Sequence, residues 1–165
     1  MSAHYEGEIL SGGVIFHIYT TTGGTEECLI VSPVNIDDKM IWSNVQYSFI
    51  GNTSIWDGEL NTTNIINQNG HYESAALKCS EYSDGGWYLP SAIEMRDLDR
   101  AIYEVNHTLS HIPNSDLVTL EGYWTSTEYS DKCAYVYYFD ESKLRYDGFL
   151  KNTEYKVRAI KRIQL

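Results

Sequence analysis

Pro90-Ser91-Ala92-Ile93-Glu94 is the strongest folding signal in the chain. A Ser with Glu three residues on forms a capping box, in which each side chain satisfies a backbone N–H of the other's turn, so Ser91 is the expected N-cap. Met95, Leu98, Ile102, Val105 and Leu109 then recur at steps of three and four, which places them on one buried helical face. An earlier stripe of Tyr72, Ala75, Ala76, Cys79 and Tyr82, with Glu73, Lys78 and Glu81 off it, predicts another helix. Asp84-Gly85-Gly86 ends it.

Strand signals flank these two helices. Gly13 to Thr20 is β-branched and aromatic, and Thr22-Gly23-Gly24-Thr25 separates it from a second such run at Cys28 to Ser32, which predicts a hairpin. Beyond the turn residues 111–114, strand-like runs occupy Tyr123 to Thr127, Ala134 to Phe139 and Tyr155 to Ile163. Residues 32–70 lack sustained periodicity yet contain Trp42 and Trp56, so they read as a long ordered loop region packed by its own aromatics. The expected architecture is one α+β domain over residues 1–165: two helices on a mainly antiparallel sheet, with Val14 to Tyr19 pairing near Tyr155 to Ile163.

Composition narrows the function. The 165 residues carry 12 Lys plus Arg against 23 Asp plus Glu, and a net charge of -11 repels a phosphate backbone, so no nucleic-acid partner is expected. Neither a signal peptide nor a membrane insertion is expected, because the first apolar run is short and the N-terminal residues carry Glu6 and Glu8 without a cation. Cys28, Cys79 and Cys133 are odd in number and lack CxxC spacing, so they read as reduced, mostly buried thiols. Fourteen Tyr and four Trp beside four Phe supply rings with polar handles, which suits recognition surfaces as well as half-buried strands.

The candidate binding surface lies near the C-terminus. Strand alternation puts Tyr135, Tyr137 and Phe139 on one face and Ala134, Val136 and Tyr138 on the other, and one of these faces is expected to reach solvent. The loop that follows mixes carboxylates, cations and a ring, a combination that suits a sugar, whose CH face stacks on aromatics while its hydroxyls take polar contacts. Tyr135, Tyr137, Arg145, Tyr146 and Asp147 form the expected ligand-binding set, with Tyr129 and Lys143 at its rim. An ordinary solvated strand and turn fits the same residues.

Five segments together resemble the Lcl C-terminal domain family, a module with a C-type lectin-like fold. They are Gly12-Gly13-Val14-Ile15-Phe16, Ala75-Ala76-Leu77-Lys78-Cys79, Gly86-Trp87-Tyr88-Leu89-Pro90-Ser91, Tyr123-Trp124-Thr125-Ser126-Thr127-Glu128 and Tyr155-Lys156-Val157-Arg158-Ala159-Ile160. The resemblance implies a domain of bacterial surface adhesins and of phage tail or virion proteins, related in fold to formylglycine-generating enzymes and to variable phage receptor-binding proteins. In those phage proteins the ligand surface lies in the stretch that corresponds to Cys133 onward. Trp87, Pro90, Trp124 and Arg158 are expected to serve the architecture.

The leading expectation is a non-enzymatic module that recognises a glycan or protein receptor within a virion or on a bacterial surface, in contact with other subunits, with a homo-oligomer as one option. A structural decoration or connector subunit is the alternative, and an enzyme of the formylglycine-generating fold stands third, since its cooperating cysteine pair has no equivalent here. No cofactor or metal is expected: Asp37-Asp38, Asp131 and Asp140-Glu141 match no calcium loop, and the five His form no HxH or HExxH. Neither a GxSxG elbow nor a P-loop occurs.

Overall fold

The computed structural model describes residues 3–51, 54–140, 143–145 (backbone alone) and 149–165. Nine strands and four helices among them make an α+β fold. Strands β1 (Ile9–Leu10), β2 (Gly13–Thr20), β3 (Glu26–Val31) and β9 (Ile160–Gln164) form one antiparallel sheet in that order. A second sheet runs in the order β4 (Asp37–Ile41), β8 (Glu154–Val157), β5 (Gly122–Glu128), β6 (Ala134–Tyr138) and β7 (Lys143–Arg145), where only the β5 and β8 neighbours are parallel.

The terminal strands therefore share a sheet, but β2 and the C-terminal run are not neighbours. β3 lies between them, pairing Val14 with Val31 on one side and Val31 with Ile160 on the other. The expected single strand from Tyr155 to Ile163 is two strands in two sheets. It breaks at buried Arg158, whose guanidinium donates to Ser32 O at 3.0 Å, Asn35 Oδ1 at 2.9 Å and Asp116 O at 2.9 Å. Burial pulls this guanidinium down to about 10, still protonated at neutral pH, and neutral oxygens from two loops stand in for its hydration shell.

Four short helices replace the expected two. α1 (Gly58–Ile66) and β4 both lie in the stretch read as loop. The sequence hid them for physical reasons: α1 is rich in Thr and Asn, which are weak helix formers, and β4 carries Asp37, Asp38 and Lys39 in place of an apolar alternation. Asp57 accepts from Leu60 N to cap α1, and Asn61 and Thr62 are buried and hydrogen-bonded to Ser54 O and Leu89 O. Tyr72 lies before α2 (Ala75–Ser80) and is exposed, because Ser74 is the N-cap. The helix expected from Ser91 onward is interrupted at Ala101 into α3 (Ala92–Arg100) and α4 (Ile102–Leu109). Met95, Leu98, Ala101, Val105 and Leu109 stay buried across the break, so the two segments still present one apolar stripe.

Two apolar clusters lie on opposite sides of the strands. Ile15, Cys28, Ile30, Trp124 and Val136 pack with α1 and α2, while Val14, Phe16, Leu29, Tyr123 and Tyr137 pack with α3 and α4. Strand alternation thus feeds two cores instead of one core and solvent. Cys28, Cys79 and Cys133 are free and buried, and desolvation pushes the Cys28 thiol up to about 11.

The capping box forms as read: Ser91 N donates to Glu94 Oε2 at 2.7 Å, and Glu94 N to Ser91 Oγ at 3.4 Å. Burial raises the Glu94 carboxyl above the usual range, although bonds from Ser91 and from Tyr88 Oη at 2.9 Å draw it partly back. A raised carboxyl favours folding while protonated, so this contribution is present below the ordinary Glu value of about 4.3 and is lost as pH rises through the folded-state value. Melting the wild type and Glu94→Gln across acid to neutral pH is expected to show the wild type losing stability relative to the variant as pH rises. A constant difference would contradict this linkage.

Candidate functional site

Glu128, the last residue of β5, and Lys151, on the segment that follows residue 148, are both fully buried, and their side chains form an ion pair with Nζ to Oε1 at 2.5 Å. Each charge has further partners. Glu128 Oε2 accepts from Ile50 N at 3.0 Å and Gly51 N at 2.9 Å, while Lys151 Nζ donates to Ser48 O at 2.9 Å and lies 4.9 Å from the Trp42 ring. Trp42 Nε1 donates to Thr125 O and Trp124 Nε1 to Met40 O, both at 2.8 Å, which locks the start of this loop to β5. A buried pair contributes little net stability, but it fixes geometry, because removing one partner strands the other charge away from water.

The segment 42–51, the turn after β5 and residues 149–151 are therefore tied to one point. They carry an exposed apolar platform: Tyr47 is 71% exposed, Phe49 53%, Tyr129 51% and Leu150 47%. Lys132 Nζ sits 5.8 Å from the Tyr47 ring, and Tyr129 meets half-buried Tyr135 edge to face at 5.4 Å. Tyr129 N and Ser130 N both donate to Cys133 O at 3.0 Å, so the turn bearing Tyr129 is closed by its own backbone. Rings on a pinned backbone lose little conformational entropy on contact, and that favours binding.

Of the expected ligand set, Tyr129 and Tyr135 belong to this platform. Tyr137 does not. It is 1% exposed, packs edge to face on Phe139 at 5.2 Å and donates from its hydroxyl to Asp99 Oδ2 at 2.8 Å, so burial together with this bond pushes its phenol pKa well up. The face that Tyr135, Tyr137 and Phe139 share is divided: Tyr135 stays half-buried, whereas Tyr137 packs in the core beside α3 and α4, and Val136 points into the other core. Lys143 and Arg145 pair by backbone with Tyr138 and Val136. Tyr146 and Asp147 lie outside the described residues. Trp87, Pro90, Trp124 and Arg158 are all buried, in keeping with an architectural role.

Sequence reasoning missed Tyr47, Phe49, Glu128 and Lys151. The isolated carboxylate ending Thr125-Ser126-Thr127-Glu128 was the available signal, since all seven residues of that strand are buried. Its polar atoms are satisfied by other loops: Thr125 Oγ1 donates to Tyr135 O, Thr127 Oγ1 to Ser54 O, and Ser126 N to Pro90 O.

Two measurements test this picture by chemical denaturation. Tyr137→Ala is expected to destabilise the fold by about 3–5 kcal/mol and Tyr137→Phe by about 1 kcal/mol; wild-type stability in Tyr137→Ala would return the ring to the surface. Lys151→Met should cost about 3–5 kcal/mol, with much of the loss recovered in the double variant Glu128→Leu/Lys151→Met, because the second change removes the stranded charge. Additive losses would show that the pair is not coupled. No protein-family model matches this chain and no curated protein matches it, so the reading of the site stands on the site's own geometry.

Proposed function

We propose that this chain is a non-enzymatic recognition module of C-type lectin-like fold, akin to the Lcl C-terminal domain, that engages a protein or glycan receptor in a virion or on a bacterial surface. The observation that supports this reading is the exposed platform of Tyr47, Phe49, Tyr129 and Leu150, held on segments anchored by the buried Glu128 and Lys151 pair. Clustered rings on a rigid base match the makeup of binding hot spots. The resemblance supports it from another direction: the segments that carry it include the buried motifs around Trp87, Trp124 and Arg158, which build the frame and leave the loops free to vary.

A connector role is the second reading, favoured by a different surface. Tyr103, Leu117 and Leu120 are exposed around a depression of about 640 Å³ beside α4, and Tyr5 adjoins Tyr103 in the next one. A contiguous apolar patch of this kind marks subunit contacts in many assemblies.

Binding of the purified protein to glycan arrays and to bacterial cells, together with its mass in solution, separates the two readings. Tyr47→Ala/Phe49→Ala is expected to weaken attachment by at least about tenfold while the melting temperature stays close to that of the wild type. Leu120→Glu is expected to leave attachment intact. An oligomer that Leu120→Glu converts to monomer, with no attachment in any form, would reject the receptor reading in favour of the connector.

A further inference from the structure

A groove of about 590 Å³ opens beside β2, β3, β9 and the first turns of α3, built from residues separate from the platform. At its rim the Trp56 indole is 65% exposed, yet the backbone beneath it is fastened. Ser54 Oγ accepts from Trp56 N and Asp57 N, Ser54 O accepts from Asn61 Nδ2 at 2.7 Å and Thr127 Oγ1 at 2.9 Å, and Ile93 N donates to Ile55 O at 2.9 Å. Gly58, just beyond, leaves no room to relax, since a Cβ there would lie 2.7 Å from Leu89 O. Across the groove His17 and Tyr19, two apart on β2 and so on one face, stack at 5.5 Å with ring planes 22° apart.

The polar groups of the groove are of both kinds. The Arg162 guanidinium makes no hydrogen bond among the described residues: its nearest carboxylate oxygens, on Glu59 and Glu94, are 3.8 and 3.9 Å away, and its Nε is buried without a partner. A guanidinium offers five N–H donors in a plane, so this one presents a donor surface that the protein leaves unfilled. Acceptors stand close by. Glu27 uses Oε2 to accept from Tyr19 Oη at 2.7 Å, and Glu94 and Asp97 add further carboxylates.

Charge selects among the possible occupants. An anion drawn to Arg162 would meet Glu27, Glu59, Glu94 and Asp97, whereas a cation drawn to those carboxylates would meet Arg162. A neutral group that donates and accepts from adjacent atoms suffers neither repulsion. Vicinal hydroxyls do this, and the CH face of the ring that bears them stacks on indole. We propose that this groove binds a neutral pyranose, with its CH face on Trp56 and neighbouring hydroxyls shared between Arg162 and the carboxylates opposite. This goes beyond the receptor platform and does not depend on it.

Trp42, Trp87 and Trp124 are buried, so the Trp56 indole N–H resonance and the exposed component of tryptophan fluorescence report on the groove alone. The intact chain is titrated with methyl glycosides of neutral hexoses and N-acetylhexosamines to about 50 mM. At least one is expected to give a saturable shift with a dissociation constant in the range of about 1 mM. Trp56→Ala should weaken it at least about tenfold, read by calorimetry, with an unchanged melting temperature. Arg162→Lys, which keeps the charge but loses the planar fork, should weaken it too. Tyr47→Ala/Phe49→Ala should leave it as in the wild type, so failure of the platform and failure of the groove are distinguishable. The proposal is overturned if no neutral pyranoside saturates, if Trp56→Ala binds like the wild type, or if lysine methyl ester or N-acetylneuraminic acid binds more tightly than every neutral sugar.

Discussion

The side chains of Glu128 and Lys151 meet away from water, and much of what the second sheet presents to solvent depends on that meeting. An isolated buried charge is costly enough that the chain cannot populate arrangements in which only one of the two is enclosed. The loop of residues 42–51 must therefore close over β5 together with residues 149–151, bringing Ser48 O, Ile50 N and Gly51 N to the pair. Arg158 does the same service where the two sheets diverge, with neutral carbonyl and amide oxygens in place of a carboxylate. In both cases a desolvated cation draws loop groups far apart in sequence to one point.

Burial of the strands on both sides is the second constraint. Because α1 and α2 cover one side and α3 and α4 the other, β2, β3 and β6 offer few side chains to a ligand along their middles. On the proposed reading, recognition falls to loops and strand ends. The platform lies on loops tied to β5, and the groove lies where β2, β3 and β9 emerge past α3 with His17, Tyr19, Glu27 and Arg162 only partly covered. The net charge of -11 disfavours polyanionic partners for either surface. The groove differs in holding a guanidinium among its carboxylates.

Local patterns reported local facts well. Ser91 and Glu94 marked a helix start to the residue, because both halves of a capping box lie within one turn and need nothing distant. The hairpin of β2 and β3, the buried stripe through Cys79 and the free state of the three thiols were legible for the same reason. The candidate site was legible only in part: Tyr129 and Tyr135 lie where ring content and strand period indicated, and Tyr137 does not.

Tyr137 and Tyr135 show where that legibility ends. Period two separates a strand's faces but does not say what covers each residue, and α3, some forty residues earlier in the chain, determined that Tyr137 is core while Tyr135 on the same face stays half-buried. The same holds for α1, whose Thr- and Asn-rich sequence carries little helical preference until Ser54, Leu89 and Ser126 arrive to satisfy it. Class of fold, helix starts and the absence of a polyanion-binding charge follow from chemistry within a few residues or from composition. The Glu128 and Lys151 pair, the strand order that inserts β3 between the ends of the chain, and the groove around Arg162 each require groups far apart in sequence to meet, and only the packed tertiary structure brings them to within a few ångströms of one another.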